Sequence, residues 1–518
     1  MSCLTFLAAL LALPWLPRDA AAAPLEEKAT DALVRQALDR FGVPGCAVVV
    51  VRDGQVAYLR GTGVVRAGGP QAVSPDTAFA IASCSKAMTA TAAAFLVQEG
   101  KLAWDDPLRK HLPRFRLGDP LAERDATLRD SLCHRSGLFG HDALRLAMPF
   151  DRPDEVLARL GELPLESPFR ANYRYSNWMY HVAALTIGAA DGTTYHEAMR
   201  SRLFEPLGMK TASTHLADLA KRTDAASPHG ADEKGKLTVL PWEAVVAAPG
   251  SGTVVASARD LGRWLQFQLG QGRLDGKELL RADLLRETHT PQVVVRTTPA
   301  ERLLHPEDAF GNAAYCLGWR SFVYRGKESL LAHGGALPGF RAHVVLAPKA
   351  NVGIAVLANV GNANPVLGTQ LPEALALTLL DRALDLPAFD WLGHHHKYQA
   401  DETARRLERW RLDHPDLKPN PNRAALRNTA YAGTYAAPGY GTLVVKDNGD
   451  EGLLLEWGRV RIILKPFDGD TFRGTADEKD RPWGGLDDVR VPFRMSPTGW
   501  TATGLRFLDR EFQRRPGP

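Results

Sequence analysis

Cysteine is scarce in this chain: five residues in 518, at positions Cys3, Cys46, Cys84, Cys133 and Cys316. They have no metal-ligand spacing and are too sparse for a disulfide framework, so they read as reduced packing residues. An excess of charge of one sign is also missing. Lys and Arg number 63 against 59 Asp and Glu, a formal net charge of +4, and no run concentrates the basic residues. A nucleic-acid surface built on a basic stripe is therefore excluded. Beyond the N-terminus no segment of membrane-spanning length is free of charges, so no membrane insertion is expected once the leader is removed. Gly-x-Ser-x-Gly and His-Glu-x-x-His do not occur, and no glycine-rich phosphate loop is present. These absences remove the nucleophile elbow of α/β-hydrolases, the zincin helix and nucleotide cofactors. His394-His395-His396 lacks metal-ligand spacing and reads as a surface cluster. The expectation is no cofactor and no metal.

What is present begins with an apolar run, Leu4 to Leu13, followed by four alanines, Ala20 to Ala23. That pattern reads as a secretory signal peptide over residues 1–23, although no Lys or Arg precedes it, and it implies a periplasmic or secreted protein. The remainder is too long for one hydrophobic core. Apolar spacing predicts a helix over Asp31 to Phe41. A hairpin follows, with strands Cys46 to Val51 and Val56 to Leu59 turning at Asp53-Gly54. A long helix from about Ser83 to Glu99 ends at Gly100, and residues 105–245 are mainly helical. Strands are expected at Ala314–Val323, Ser329–Ala332, Ala342–Leu346 and Val352–Leu357, and a helix at Pro372 to Leu384. This is an α+β domain over 24–390. A charged linker or helical segment, 391–428, leads to a small all-β barrel-like domain over 429–518. The strands expected there are Gly433 to Tyr435, Leu443 to Val445, Leu453 to Trp457, Val460 to Leu464, Val489 to Met495 and Leu505 to Phe507.

Three short patterns carry candidate chemistry. Ser83-Cys84-Ser85-Lys86 places a hydroxyl and an amine one helical turn apart, at a helix start whose N–H groups point at any developing oxyanion. Burial would keep the amine neutral and able to take the serine proton. Tyr175-Ser176-Asn177 offers a phenol that neighbouring cations could deprotonate, and an amide that can donate to a substrate carbonyl. His333-Gly334-Gly335-Ala336 puts small residues after a basic side chain on a strand that a substrate backbone can approach. Each pattern has a plain structural reading on its own: a capped helix, an aromatic helix start, a glycine-rich turn.

Taken together and in this order, Ser-x-x-Lys, Tyr-x-Asn and a basic residue with glycine on a strand resemble the penicillin-recognising serine hydrolases. This is the branch with class C β-lactamases, D-alanyl-D-alanine carboxypeptidases, D-aminopeptidases and esterases. Phe79 to Ser83, His134-Arg135-Ser136-Gly137-Leu138 and Tyr315 to Trp319 extend the likeness, which covers about residues 28 to 385. The resemblance implies a β-lactamase/transpeptidase-like domain in which Ser83 is acylated and Lys86 and Tyr175 share its proton. It further implies that Asn177, His333, Gly335 and Ala336 hold the substrate, and that the N–H groups of Ser83 and Ala336 form the oxyanion hole. From about Tyr431 the tail resembles the lipocalin-like barrel that follows such domains, which in relatives covers the site or assists oligomerisation. The substrate class implied is a small molecule or peptide: a D-residue peptide or amide, or a carboxylic ester, with weak β-lactam turnover. The alternative is a non-catalytic penicillin-binding or peptidoglycan-sensing protein on the same fold. His333 stands where many relatives carry lysine. If it titrates near its unperturbed pKa of ~6.5, affinity for carboxylates should rise below that pH.

Overall fold

The computed structural model describes residues 26–232, 234–306, 309–363, 366–413, 426–480, 486 and 488–516. The expected signal peptide and Cys3 lie outside the described residues. The first helix, α1 (Glu27–Phe41), buries Leu33, Val34, Ala37 and Leu38 and is stopped by Gly42 in the left-handed region. Strands β1 (Gly45–Arg52) and β2 (Gln55–Gly63) form the hairpin at Asp53-Gly54. A 3-10 turn over Ala82–Cys84 runs into α2 (Ser85–Gln98). A helical lobe includes α3 (Pro153–Gly161) and α4 (Asn177–Asp191), and α5 (Ala258–Leu269) returns to the sheet. After β3 (Val293–Val294) and α6 (Pro299–Leu304) come β4 (Phe310–Tyr315), β5 (Arg320–Tyr324), β6 (Glu328–Leu337), β7 (Phe340–Ala347) and β8 (Val352–Ala358). Helices α7 (Leu371–Ala383) and α8 (Trp391–Asp413) follow.

The sheet is antiparallel with strand order β2-β1-β8-β7-β6-β5-β4-β3. The unbroken apolar run in β1 reflects burial on both faces. Val49 and Val51 pack with α2 and α5, while Val48 and Val50 pack with α1 and α7. Helix α2 is apolar and alanine-rich almost all round, so it sits fully inside the protein. The single strand expected over Ala314–Val323 is two strands, β4 and β5. The chain doubles back at Gly318, which has φ +84°, and a Cβ there would lie 2.6 Å from the Lys86 carbonyl oxygen.

The C-terminal region is a closed eight-stranded antiparallel barrel. Its strands are β9 (Gly433–Ala437), β10 (Gly441–Asp447), β11 (Leu453–Trp457), β12 (Val460–Asp468), β13 (Thr471–Ala476), β14 (Val489–Met495), β15 (Ala502–Phe507) and β16 (Arg510–Arg514). Sequence patterning missed β13 and β16, whose outward positions are charged or small and which carry few inward apolar residues. The four described cysteines are free and buried. One expectation is corrected: the three histidines are not a surface cluster. Helix α8 packs on α7, and this contact leaves His396 exposed but buries His395 completely.

Barrel and helical lobe share one apolar core. At this contact glycines let backbones approach. Gly458 has φ +57°, and a Cβ on it would lie 2.4 Å from Ala147 Cα and 2.6 Å from the Leu146 oxygen. Both obstacles are backbone, so they cannot move aside as a flexible side chain would. Gly458→Val should therefore weaken the docking by about 1–3 kcal/mol. Calorimetry of parent and variant checks it. An unchanged unfolding profile would show that this contact does not hold the barrel in place.

Candidate active site

Ser83 lies in the 3-10 turn just before α2, behind Ala82, which has a positive φ of 49°. Such a conformation is strained for a residue with a Cβ and persists only where the surroundings enforce it. Here β6 enforces it. A Cβ on Gly335 would lie 2.2 Å from the Ile81 oxygen, so only glycine lets the strand press against the turn. Cys84 adds a thiol hydrogen bond of 3.1 Å to the His333 carbonyl. Ser85 caps the arrangement by donating to the Ala82 oxygen at 2.6 Å and accepting from the Val254 N–H at 3.0 Å.

One turn on, Lys86 is fully buried. Its Nζ lies 3.0 Å from Ser83 Oγ, 2.9 Å from Asn177 Oδ1 and 2.7 Å from the Ser251 carbonyl oxygen. Burial holds its pKa well below the ordinary lysine range, against a smaller opposing pull from Asp142. The Tyr175 hydroxyl donates to Ser83 Oγ at 2.9 Å. The expectation of a phenol deprotonated by cations is not met. Burial raises the Tyr175 pKa far above its usual value, and the Ser83 hydrogen bond lowers it only in part. The neighbouring amine, 4.7 Å from the ring centre, has its own pKa held well below the ordinary lysine range by burial and does not offset that rise. Asn177 is in the site, but its amide is engaged. It accepts from Lys86 and donates to Asp142 Oδ1 at 2.9 Å, which leaves one N–H for a substrate.

Two loops deliver Tyr175. Asp130, fully buried, closes a capping box with Thr127 and also pairs with Arg135 and Arg170. Backbone bonds from Arg170 N to the Arg135 oxygen, 2.8 Å, and from Arg174 N to the His134 oxygen, 2.7 Å, then stitch the loops together. The His134 ring rests against that of Tyr175, with centroids 4.3 Å apart, and accepts the Ser176 N–H on Nδ1 at 3.0 Å. His134 thus positions the tyrosine, a role the sequence reading did not assign to it.

His333 lies on β6, where its two nitrogens are engaged. Nδ1 is 2.7 Å from the Gly334 carbonyl oxygen, so it bears the proton, and Nε2 accepts from the Tyr315 hydroxyl at 3.0 Å. Strand β5 pairs with β6 only as far as Ala332, so among the described residues His333 to Leu337 have no partner strand on that side. Ser83, Tyr175, Asn177, His333, Gly335 and Ala336 all line one cavity of about 1260 Å³. The sequence reading missed Ser251, Asp142 and the Tyr315 hydroxyl as partners. Only Tyr315 lay in a segment it had singled out. Ser251 acts through its carbonyl, which leaves no side-chain signal.

The Beta-lactamase family model matches residues 30–379. The chain belongs to that family. Residues 417–516 match a domain of unknown function, DUF3471. Unguisins hydrolase ungD of Aspergillus violaceofuscus is 28% identical over 493 residues, covering 90% of this chain and 85% of that protein. Among solved structures, the octameric penicillin-binding protein homologue from Pyrococcus abyssi superposes with a TM-score of 0.59 at 20% identity, over 94% of this chain and 99% of that one. D-alanine carboxypeptidase AmpC from Burkholderia cenocepacia superposes with a TM-score of 0.53 at 21% identity, over 69% and 98%. These two show the β-lactamase/transpeptidase fold.

The expected charging of His333 near pH 6.5 is corrected by its surroundings. Burial above all pushes its pKa down to about 3. In spectra of histidine-labelled protein the His333 ring should stay neutral from pH 8 down to about pH 4, one unit above that value. A titration near 6.5 would contradict the burial described.

Proposed function

We propose that this protein is a serine hydrolase working through an acyl-enzyme on Ser83. Its substrates are peptides or amides containing D-residues, with carboxylic esters also cleaved and β-lactams turned over slowly. One observation carries the reading. A neutral lysine amine has two N–H groups and one lone pair. Asn177 Oδ1 and the Ser251 carbonyl can only accept, so they take both hydrogens. The lone pair is left facing the Ser83 hydroxyl at 3.0 Å. Ser83 then gives its proton to Lys86 as Oγ attacks the substrate carbonyl carbon. When the bond to carbon breaks, Tyr175 gives its phenolic proton to the leaving nitrogen or oxygen and is reprotonated by the Lys86 ammonium, so that the proton taken from Ser83 ends on the leaving group. Water then releases the acyl group from Ser83 by the same proton path reversed. The N–H groups of Ser83 and Ala336 are assigned to the oxyanion.

The substrate class follows from charge and space. The third-motif position offers a neutral imidazole rather than a fixed cation. Of the arginines lining the cavity, Arg145 is paired with Asp142 at 2.6 Å and Arg320 with Glu301 at 2.8 Å. The cavity exceeds the ~300–1,000 Å³ usual for small-molecule sites, and the free edge of β6 can pair with a peptide backbone. A peptide-sized acyl donor fits these features better than a compact β-lactam.

Ser83→Ala should abolish covalent labelling by fluorophosphonate and penicillin probes while the far-ultraviolet circular dichroism stays the same. Surviving label would remove Ser83 as nucleophile. Label without turnover of any D-amino-acid amide, ester or cephalosporin would instead favour the penicillin-binding or sensing alternative. Tyr175→Phe keeps the ring against His134 and removes only the proton donor, so kcat/KM should fall ~10²–10⁴-fold. A loss under about threefold would take Tyr175 out of the proton path. Because Lys86 acts neutral, kcat/KM should fall as pH drops through the depressed lysine pKa and show no rise in the ordinary lysine range. A rate that climbs only in that alkaline range would mean the amine is charged at neutral pH.

A further inference from the structure

On the face of the sheet away from α2, a second group of reactive side chains takes no part in this chemistry. Glu373, in the first turn of α7, lies 2.6 Å from the Nε2 of His305, the residue that follows α6. His395 of α8 completes the group: one ligand atom from each of His305, Glu373 and His395 lies within 4.8 Å of the other two. A buried Glu–His ion pair would explain two of these residues but not the third. The Nδ1 of His395 is 3.1 Å from the Trp391 carbonyl oxygen. A carbonyl only accepts, so Nδ1 holds the proton and Nε2 keeps its lone pair. That Nε2 is buried with no hydrogen-bond partner among the described residues. A buried, oriented and unused lone pair beside a carboxylate and a second imidazole lacks a cation.

We propose that His305 Nε2, the Glu373 carboxylate and His395 Nε2 bind one divalent ion of the zinc class, with its fourth position facing the large cavity. Two imidazoles and a carboxylate form a donor set suited to zinc, and a site with three protein ligands keeps one position open. The cavity lining includes His305 and Glu373, which gives that position access to solvent or substrate. On a tetrahedral ion with bonds of ~2.0–2.1 Å, ligand atoms sit about 3.4 Å apart. The His305–Glu373 contact must open by about 0.8 Å from its present 2.6 Å, and the widest separation closes by at most about 1.4 Å, both within side-chain adjustment. The His395–Trp391 bond is the outer hydrogen bond that fixes the tautomer of a ligating histidine. Binding displaces the proton shared by His305 and Glu373, either to His305 Nδ1 or to solvent. His343 and Arg341 also face Glu373. The arginine's charge opposes a cation, so affinity depends on all three ligands acting together. The ion would join α6, α7 and α8.

The experiment uses the full chain without a histidine tag, stripped by chelator and then titrated with Zn²⁺ against a chromophoric competitor. One ion per chain and a rise in Tm are expected. Co²⁺ in its place should give the intense visible absorption of a four-coordinate site. Losing an outer-shell partner typically weakens such sites ~10–100-fold, so His395→Gln and Glu373→Gln should each weaken binding by at least that much. His396→Gln, exposed on the same helix, should leave it unchanged. Binding by the parent no tighter than by His395→Gln, or a cobalt spectrum matching that of the free ion, overturns the proposal. If His395→Gln fails to fold by circular dichroism, the parent's stoichiometry and cobalt spectrum decide alone.

Discussion

Everything at the candidate site depends on one buried amine. Burial in the apolar helix α2, with no carboxylate in contact, holds the Lys86 amine well below the ordinary lysine pKa range and so favours its neutral form. The protein instead supplies two oxygen acceptors and one hydroxyl. This set satisfies the two donors and one lone pair of a neutral amine, with the serine hydroxyl donating to that lone pair. Neutrality of Lys86 then sets its neighbours. Tyr175 has no cation to lower its pKa, and His333 is buried with both nitrogens already bonded. The site is a set of neutral groups with fixed hydrogen positions, ready for a proton to move along it.

Such a set works only if the backbone does not drift, and the structure invests its costliest features there. The positive φ of Ala82, the absence of a Cβ at Gly335 and the close pass of Gly318 over the Lys86 and Ala87 backbone fix α2 from two sides. Asp130 does the same for the loops that carry His134 and Tyr175. Its carboxylate is buried, and the Thr127 and arginine hydrogen bonds more than offset the penalty of burial, holding its pKa below the usual value. Breaking a buried pair costs more than forming it gains, so such a knot resists rearrangement.

Much of this was legible in the sequence because the signals were local. Ser-x-x-Lys needs one helical turn, Asp53-Gly54 needs one hairpin, and the run in β1 reports burial on both faces. The order of three motifs then specified the fold where each motif alone did not. Illegible were the features set by distant segments. The Ser251 carbonyl has no side-chain signature, and the fold of Ala314–Val323 into two strands depends on α2 lying beneath Gly318. Burial lowered the His333 pKa, and the identity of the residue could not report that. His395 was misread for the same reason: a row of three histidines gives no sign that a second helix covers the middle one.

The barrel contributes no residue to the lining of the large cavity among the described residues. It nevertheless reaches the buried amine through a short chain of bonds. The Tyr440 hydroxyl meets His141 Nδ1 at 3.0 Å, and the His141 carbonyl accepts from Trp178 Nε1 at 3.1 Å. The next residue, Asp142, accepts from Asn177, whose Oδ1 takes a hydrogen of Lys86. The loop that carries Asp142 begins at His141, held with a positive φ of 58°. A strained loop needs contacts on both sides to persist, and the barrel supplies those on the outer side. The barrel thereby acts on the site through geometry. By holding the loop it keeps the Asp142 carboxylate on Asn177, and so keeps Asn177 turned with its oxygen towards Lys86. Were that amide to flip, its N–H groups would face the lysine instead, one of the two acceptors would be gone, and the lone pair would no longer be reserved for Ser83.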